Sequence, residues 1–222
     1  MTLFIDLDDT LYPADCGLWK NIRDRIDLYM HSVLGIPLAE VPPLRHRLFK
    51  TYGTTLRGLE ATLSVDPADY LRFVHDVPLE HYLKLDAELR QVLVGYTMPK
   101  FIFTNGDCAH ASRVLKTLGL EGLFDGIIDI VALSPYCKPM PEAFEIALAR
   151  AGCPQPADCV LVDDFANNLA VAHQLGFRTV LIGSPNPAVP FAPAIPRLAD
   201  LPTVIPQSNG DLSKRKEKST CE

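Results

Sequence analysis

The chain has 222 residues and 48% hydrophobic content, enough for one large core or for a core domain that carries an insertion. Its formal net charge of −6 argues against binding a nucleic-acid backbone as the main activity, because such proteins usually present a basic face. Six cysteines without a C-x-x-C pair, no signal-peptide pattern and no apolar run of about 20 residues predict a cytoplasmic protein with reduced thiols and no membrane partner.

The first predicted element is a short strand over residues 2–6, and acidic residues crowd its end. Asp6, Asp8 and Asp9 follow directly on two apolar residues. Carboxylates this close raise one another's pKa values unless a positive charge compensates them. The segment therefore predicts a cation beside the end of the first strand.

A long helical stretch comes next. Apolar residues recur at helical spacing over residues 18–33, and Gly35 ends that run. A second helix is predicted to end near Gly53. A third should begin at Asp66 and Pro67, because Asp can cap a helix and Pro suits its first turn.

Strands and single helices alternate from residue 100 onward, which indicates right-handed crossovers and a parallel sheet. The predicted strands cover residues 100–104, 126–131, 159–162 and 178–182, the last strand in the chain. The first strand has no nearby βα partner, so we expect it to join this sheet. The Pro-, Ala- and Ser-rich composition after Gly183 predicts a loose end.

These elements predict an α/β fold, with a Rossmann-like parallel-sheet core and an inserted α-helical cap. The core is predicted to take residues 1–11 and 97–206, and the cap residues 12–96. Residues 207–222 are polar and charged and predict a disordered tail.

Polar side chains follow three of the predicted strands, at the edge of a parallel sheet where ligands gather. They stand as Asp6-Leu7-Asp8, Thr104-Asn105-Gly106 and Asp163-Asp164. Lys138 precedes a helix that would return at the same edge. Carboxylates with a hydroxyl suit a hard cation with oxygen ligands, so Mg²⁺ is the first candidate cofactor.

The stretches DLDDT, FIFTNGD, CKPMPEAF and LVDDFANNL resemble, in order and in context, the four motifs of the haloacid dehalogenase superfamily. The resemblance covers residues 2–185. It implies that Asp6 is a nucleophile that becomes an aspartyl-phosphate, and that Asp8 acts as general acid and then base. It further implies that phosphate is held by Thr104, Asn105, Gly106 and Lys138, with Lys138 also neutralising Asp6.

The resemblance also implies a set of metal ligands. The Asp6 side chain and the Asp8 backbone carbonyl are expected to bind the ion. Asp164 matches the family's metal carboxylate better than Asp163, which occupies a position often held by Gly, but Asp163 stays a candidate. Asn168 falls where many members carry a further acid.

The superfamily contains both phosphatases and carbon–halogen hydrolases, and Asp8 favours the phosphatases. A dehalogenase needs neither a second Asp to protonate an alkoxide nor a metal ion. A helical insertion after the first motif resembles the cap of members that act on small phosphorylated metabolites. The sequence therefore predicts a Mg²⁺-dependent phosphomonoesterase.

The stretches DLDDTLYP, YGTTLRGL and IFTNGD are most similar to the pyrimidine 5′-nucleotidase branch, which implies UMP and CMP as substrates. The predicted cap residues that meet the leaving group are Tyr52, Thr54, Thr55 and Arg57. Phosphoglycolate or a sugar phosphate is the alternative substrate. A non-catalytic binding or regulatory protein on the same scaffold is the alternative of another class, although none of the four motifs has decayed.

Other conspicuous residues have ordinary explanations. Asp9 is expected to cap or solvate its turn, and Trp19 to pack against the helical face. Cys108 has no evident partner base and is expected to be a small buried residue. The six histidines form no metal-ligand spacing, so surface or packing roles are expected for them.

Overall fold

A computed structural model describes residues 1–153 and 155–207 of the chain. In this part, six parallel strands form one sheet in the order β3-β2-β1-β4-β5-β6. The strands are β1 (Thr2–Ile5), β2 (Lys100–Phe103), β3 (Gly126–Ile128), β4 (Cys159–Asp163), β5 (Arg178–Ile182) and β6 (Ala194–Ile195). The predicted Rossmann-like α/β fold is confirmed.

Within the described residues, five α-helices lie between β1 and β2, and three more alternate with the later strands. The first group is α1 (Leu18–Ser32), α2 (Val41–Tyr52), α3 (Thr55–Leu63), α4 (Pro67–Val74) and α5 (Ala87–Val94). The second group is α6 (Cys108–Leu118), α7 (Pro141–Arg150) and α8 (Ala166–Gln174). Within the described ranges, no helix is both long and apolar enough to cross a membrane. We call residues 18–94 the helical segment.

The first strand lies in the middle of the sheet, as expected from its lack of a local partner. Phe4 pairs with Phe101 of β2 on one side and with Leu161 of β4 on the other. Side chains alternate across the sheet, so Leu3 and Ile5 join one apolar cluster while Phe4 joins the other. Both faces of β1 are therefore buried, and its carboxyl end leads directly into Asp6.

Two helices of the helical segment were not predicted from the apolar pattern, α3 and α5. Each begins with a capping side chain: the Thr54 hydroxyl accepts a hydrogen bond from the backbone N–H of Arg57, and Asp86 accepts one from Leu89. Gly58 lies inside α3 and has a low helix propensity, so it weakened the helical pattern in the sequence.

The expectation that β5 is the last strand, followed by a loose end, was wrong for residues 184–207. Strand β6 pairs with β5, and Leu198, Leu201 and Ile205 are buried in the core. Isolated apolar residues between prolines do not produce a periodic pattern, so burial here depends on tertiary contacts. Of the predicted tail over residues 207–222, Gln207 is described and donates to the carbonyl of Val92, and residues 208–222 lie outside the described residues.

Helices α2 and α3 pack so closely that Gly58 has no room for a side chain. A methyl group at Gly58 would come within 2.6 Å of the Cβ atom of Leu48. Overpacking typically costs about 1–3 kcal/mol, more than the roughly 1 kcal/mol that Ala gains over Gly in a helix. We therefore expect Gly58→Ala to lower the free energy of unfolding, measured by urea denaturation.

Gly95→Ala is the matched control. Gly95 also has helical dihedral angles, but a methyl group there would meet the flexible end of the Gln207 side chain. The Gly95→Ala substitution should change the free energy of unfolding by no more than about 0.5 kcal/mol. Equal stability of the two variants would contradict the close packing of α2 on α3.

Candidate active site

Three carboxylates meet where β1 and β4 end. Asp6 follows β1, Asp163 is the last residue of β4, and Asp164 comes next. One carboxylate oxygen from each lies within 4.8 Å of the others. The backbone N–H of Asp6 donates to the carbonyl of Val162 at 2.9 Å, which holds the two strand ends together. The parallel topology thus concentrates negative charge at one edge of the sheet.

Lys138 is the positive group among these acids. Its Nζ lies 2.8 Å from Oδ1 of Asp6 and 2.7 Å from Oδ2 of Asp163, and its side chain is 1% exposed. Burial alone would lower the pKa of Lys138, but Asp163 and Asp6 together raise it above its ordinary value. The ammonium group therefore stays charged.

One lysine does not neutralise three acids. Burial and the neighbouring carboxylates Asp163 and Asp164 raise the pKa of Asp6 well above its ordinary value, although Lys138 opposes them. Burial, Asp163 and Asp9 raise the pKa of Asp164 to about 7. The site therefore has an excess of negative charge that a further cation would stabilise.

Asp163 differs from the other two acids because both of its oxygens are occupied. Oδ1 accepts from the backbone N–H of Phe165 at 2.8 Å, and Oδ2 accepts from Lys138. The Asn168 amide donates to both oxygens at 3.0 Å. Asp163 is 0% exposed. Both oxygens of Asp163 are thus bound to protein donors. The Oδ1 atom of Asn168, in contrast, is buried without a hydrogen-bond partner in the described structure.

Thr10, which we did not single out from the sequence, supports Asp164. Its buried hydroxyl donates to Oδ1 of Asp164 across 3.3 Å. Thr10 is the last residue of the DLDDT stretch, so the motif itself contained this signal. The contact ties the loop after β1 to the loop after β4.

Hydrogen bonds fix the loop after β2 and connect it to the loop that carries Lys138. The Thr104 hydroxyl accepts from the backbone N–H of Gly106 at 2.9 Å. The Asn105 side chain accepts from the backbone N–H of Lys138 and donates to its carbonyl, both at 2.9 Å. Asn105 therefore fixes the loop that carries Lys138. The backbone N–H groups here lie near the start of α6, where partial positive charge favours an anion.

A cavity of about 360 Å³ joins these acids to the helical segment. Its acidic end is formed by Asp6, Asp8, Asp9, Asp164, Lys138 and the Thr104–Gly106 turn. Its other walls include Trp19, Phe49, Tyr70, Phe165 and two arginines, Arg23 and Arg45. Trp19, expected to pack, is 40% exposed and lies on the cavity wall.

The structure brings two of the four predicted cap residues to the cavity. Thr54 and Thr55 line it. Tyr52 lines a separate cleft instead. Arg57 is buried, donating to the backbone carbonyls of Tyr136 and Ile130 and to Glu60. The guanidinium group of Arg57 therefore holds α3 against the core and does not face the cavity.

Two histidines for which we expected ordinary roles lie beside Asp8. His110 Nε2 is 2.9 Å from Oδ1 of Asp8, and the His75 ring stacks on the His110 ring. Burial would raise the pKa of Asp8, but His110 and the Tyr12 hydroxyl together hold it below its ordinary value. His110 is 102 residues from Asp8 in the sequence, so no local spacing could have indicated the contact.

Residues 1–176 match the family described as haloacid dehalogenase-like hydrolase. The chain is 30% identical over 192 residues to Phosphate metabolism protein 8 of Saccharomyces cerevisiae, an alignment that covers 80% of this chain and 60% of that protein. The chain therefore spans about three fifths of the length of this curated relative.

Solved structures of similar fold include phosphatases and dehalogenases. A HAD phosphatase from Thermococcus onnurineus is similar with a TM-score of 0.62 and 18% identity, covering 93% of this chain and 98% of that one. L-2-haloacid dehalogenase from Xanthobacter autotrophicus is similar with a TM-score of 0.56 and 18% identity, covering 92% of this chain and 97% of that one. At this identity the structures establish the fold alone. The family match over residues 1–176 shows that the chain belongs to the haloacid dehalogenase-like hydrolases.

Proposed function

We propose that the protein is a Mg²⁺-dependent phosphomonoesterase that works through an aspartyl-phosphate on Asp6. The observation that carries this proposal is the position of Asp8, whose carboxylate lines the same cavity as Asp6, Lys138 and Thr104. An alkoxide that leaves phosphorus needs a proton, and a second carboxyl group next to the nucleophile supplies it. Displacement of a halide needs no such group.

The free oxygens of the two acids suit these roles. Lys138 engages Oδ1 of Asp6, while Oδ2 has no hydrogen-bond donor among the described residues. In the proposed reaction, an oxygen of Asp6 bonds to phosphorus as the bond to the leaving oxygen breaks, and Asp8 protonates that oxygen. Asp8 then takes a proton from water, which attacks phosphorus, frees Asp6 and releases phosphate.

The residues present fit a divalent cation. We propose that Asp6, Asp164 and the backbone carbonyl of Asp8 hold Mg²⁺, which would supply positive charge opposite the phosphate. Burial, together with the neighbouring carboxylates, raises the pKa values of Asp6 and Asp164, so a cation would stabilise the charged forms of both groups. Asp163, an open candidate from the sequence, is better suited to hold Lys138 and Asn168, since protein donors already occupy both of its oxygens.

We propose that the helical segment belongs to a cap of residues 12–96 over a core of residues 1–11 and 97–206. The cavity supports this division because one end is formed by core loops and the other by α1, α2 and α4. A cap would exclude water from the reaction and limit the size of the substrate.

For the substrate we propose a pyrimidine nucleoside monophosphate, UMP or CMP. A cavity of about 360 Å³ has the volume of a small-molecule site. The aromatic rings of Trp19, Phe49 and Phe165 on its walls suit a planar base. Neither phosphoglycolate nor a sugar phosphate has a planar aromatic group that could stack on these rings. The name of the yeast relative, a phosphate metabolism protein, is consistent with a phosphate ester.

Phosphate release should be measured with UMP, CMP, AMP, phosphoglycolate and glucose 6-phosphate, with Mg²⁺ and with EDTA. We expect Mg²⁺-dependent turnover that is highest with UMP or CMP. Asp6→Asn should lower turnover at least about 10³-fold, because it removes the nucleophile without changing its shape. Chloride release from 2-chloropropionate should be absent.

The folded state of Asp6→Asn is the control, checked by circular dichroism. Ligand binding can be followed in the same variant through Trp19, the chain's only tryptophan, which lies on the cavity wall. Preference for a different ester would replace the proposed substrate and keep the mechanism. Chloride release, or no phosphate release from any ester, would contradict the proposed chemistry.

Metal binding should depend on pH through Asp164. The pKa of Asp164 is raised to about 7 in the metal-free site, and a cation must displace the proton from this carboxyl group. Lowering the pH from 8 to 6 should therefore weaken Mg²⁺ binding about tenfold from this group alone, as calorimetric titration would measure. Asp164→Asn should bind Mg²⁺ weakly at both pH values. Equal affinity of the wild-type protein at pH 6 and 8 would contradict this role.

A further inference from the structure

Asp8 is held by one of its two oxygens. His110 Nε2 lies 2.9 Å from Oδ1, and the Tyr12 hydroxyl donates to the same atom at 2.5 Å. Because a carboxylate only accepts, Nε2 must carry the hydrogen. Oδ2 has no donor among the described residues and lies near the Thr104–Gly106 turn, where a methyl group on Gly106 would be 3.7 Å from it.

The position of the His110 side chain is fixed by its surroundings. Its side chain is 0% exposed, and its backbone N–H donates to Oδ1 of Asp107 in the first turn of α6. Its ring stacks on the ring of His75 with centroids 4.2 Å apart and planes 10° from parallel. The direction of Nε2 toward Asp8 is therefore fixed by packing.

His75 connects His110 to the helical segment, since it directly follows α4. His75 Nδ1 lies 2.7 Å from Oδ2 of Asp107, so one carboxylate holds both the first turn of α6 and the stacked ring. Arg113 donates to the carbonyls of His75 and Val77. The arrangement connects α4, α6 and the loop after β1 through hydrogen bonds and one ring stack.

We propose that His110 is a positioning residue for the acid–base group Asp8. His110 holds Oδ1 so that Oδ2 is the oxygen that exchanges a proton with the leaving group and with water. The inference rests on the proposed phosphomonoesterase function. His110 is not among the residues that line the cavity, so it acts through Asp8 and not on the substrate.

The physical reason is the geometry that proton transfer requires. A donor must lie about 2.6–3.2 Å from the atom that it protonates, and a misplacement of about 1 Å can cost roughly 100-fold in rate. A carboxylate with no partner rotates about its terminal bond. Two donors on Oδ1 leave Oδ2 as the oxygen able to carry a proton toward Gly106.

Substitution of His110 by Gln and by Asn separates this role from packing. The Gln amide nitrogen reaches the place of Nε2, whereas the Asn amide nitrogen reaches only that of Nδ1. Both are polar and smaller than His, so the two variants form a matched pair. Thermal unfolding followed by circular dichroism would measure the structural cost of each.

The kinetic readout is kcat/KM for two esters, UMP and p-nitrophenyl phosphate. This ratio reports the step in which the leaving group departs, and p-nitrophenolate leaves without needing a proton. We expect His110→Asn to lower kcat/KM about 100-fold for UMP and only a few-fold for p-nitrophenyl phosphate. His110→Gln should recover most of the loss with UMP.

Equal losses with the two esters, or no loss with UMP, would overturn the positioning role. So would equal activities of the Gln and Asn variants toward UMP. Failure of the proposed function has a different outcome, since the wild-type protein would then release phosphate from neither ester. Binding of UMP to the Asp6→Asn and Asp6→Asn/His110→Asn proteins, followed by Trp19 fluorescence, should be equal, because His110 does not line the cavity.

Discussion

The buried ion pairs of Lys138 are the interaction on which the rest of the site depends. They join a lysine from the loop before α7 to Asp6 after β1 and Asp163 at the end of β4. Breaking a buried ion pair by removing one partner is strongly destabilising, so these contacts hold the three segments together. Asn105 adds two hydrogen bonds to the Lys138 backbone and thereby couples this cluster to the loop after β2.

The acids around Lys138 divide into those that are fully bonded and those that keep a free oxygen. Asp163 is fully bonded and fully buried, which suits a residue that holds other side chains. Asp6 and Asp8 each have Oδ1 engaged and Oδ2 without a donor in the described structure. A carboxylate fixed by one oxygen presents the other in a defined direction, and this is the preorganisation that phosphoryl transfer would use.

The helical segment contributes both to the cavity and to the support of the site. Residues of α1, α2 and α4 form the cavity walls, and His75 after α4 stacks on the histidine that contacts Asp8. Arg57 of α3 reaches core carbonyls and anchors the same segment. The walls of the cavity and the surroundings of Asp8 thus both depend on how these helices pack against the core.

The sequence by itself determined the parallel α/β fold and the strand ends that carry Asp6, Thr104 and Asp163, because strand patterning and the residues that follow a strand are local features. Parallel topology then brings those ends to one edge without further information. Only the tertiary structure decided three further contacts. The guanidinium group of Arg57 donates to core carbonyls, both oxygens of Asp163 accept hydrogen bonds, and His110 contacts Asp8. The contacts of Arg57 and His110 join segments more than 70 residues apart, so they depend on the packing of whole helices, which local spacing does not encode. Asp163 combines the nearby donors Phe165 and Asn168 with Lys138, which lies 25 residues away, and only the folded chain brings all three together.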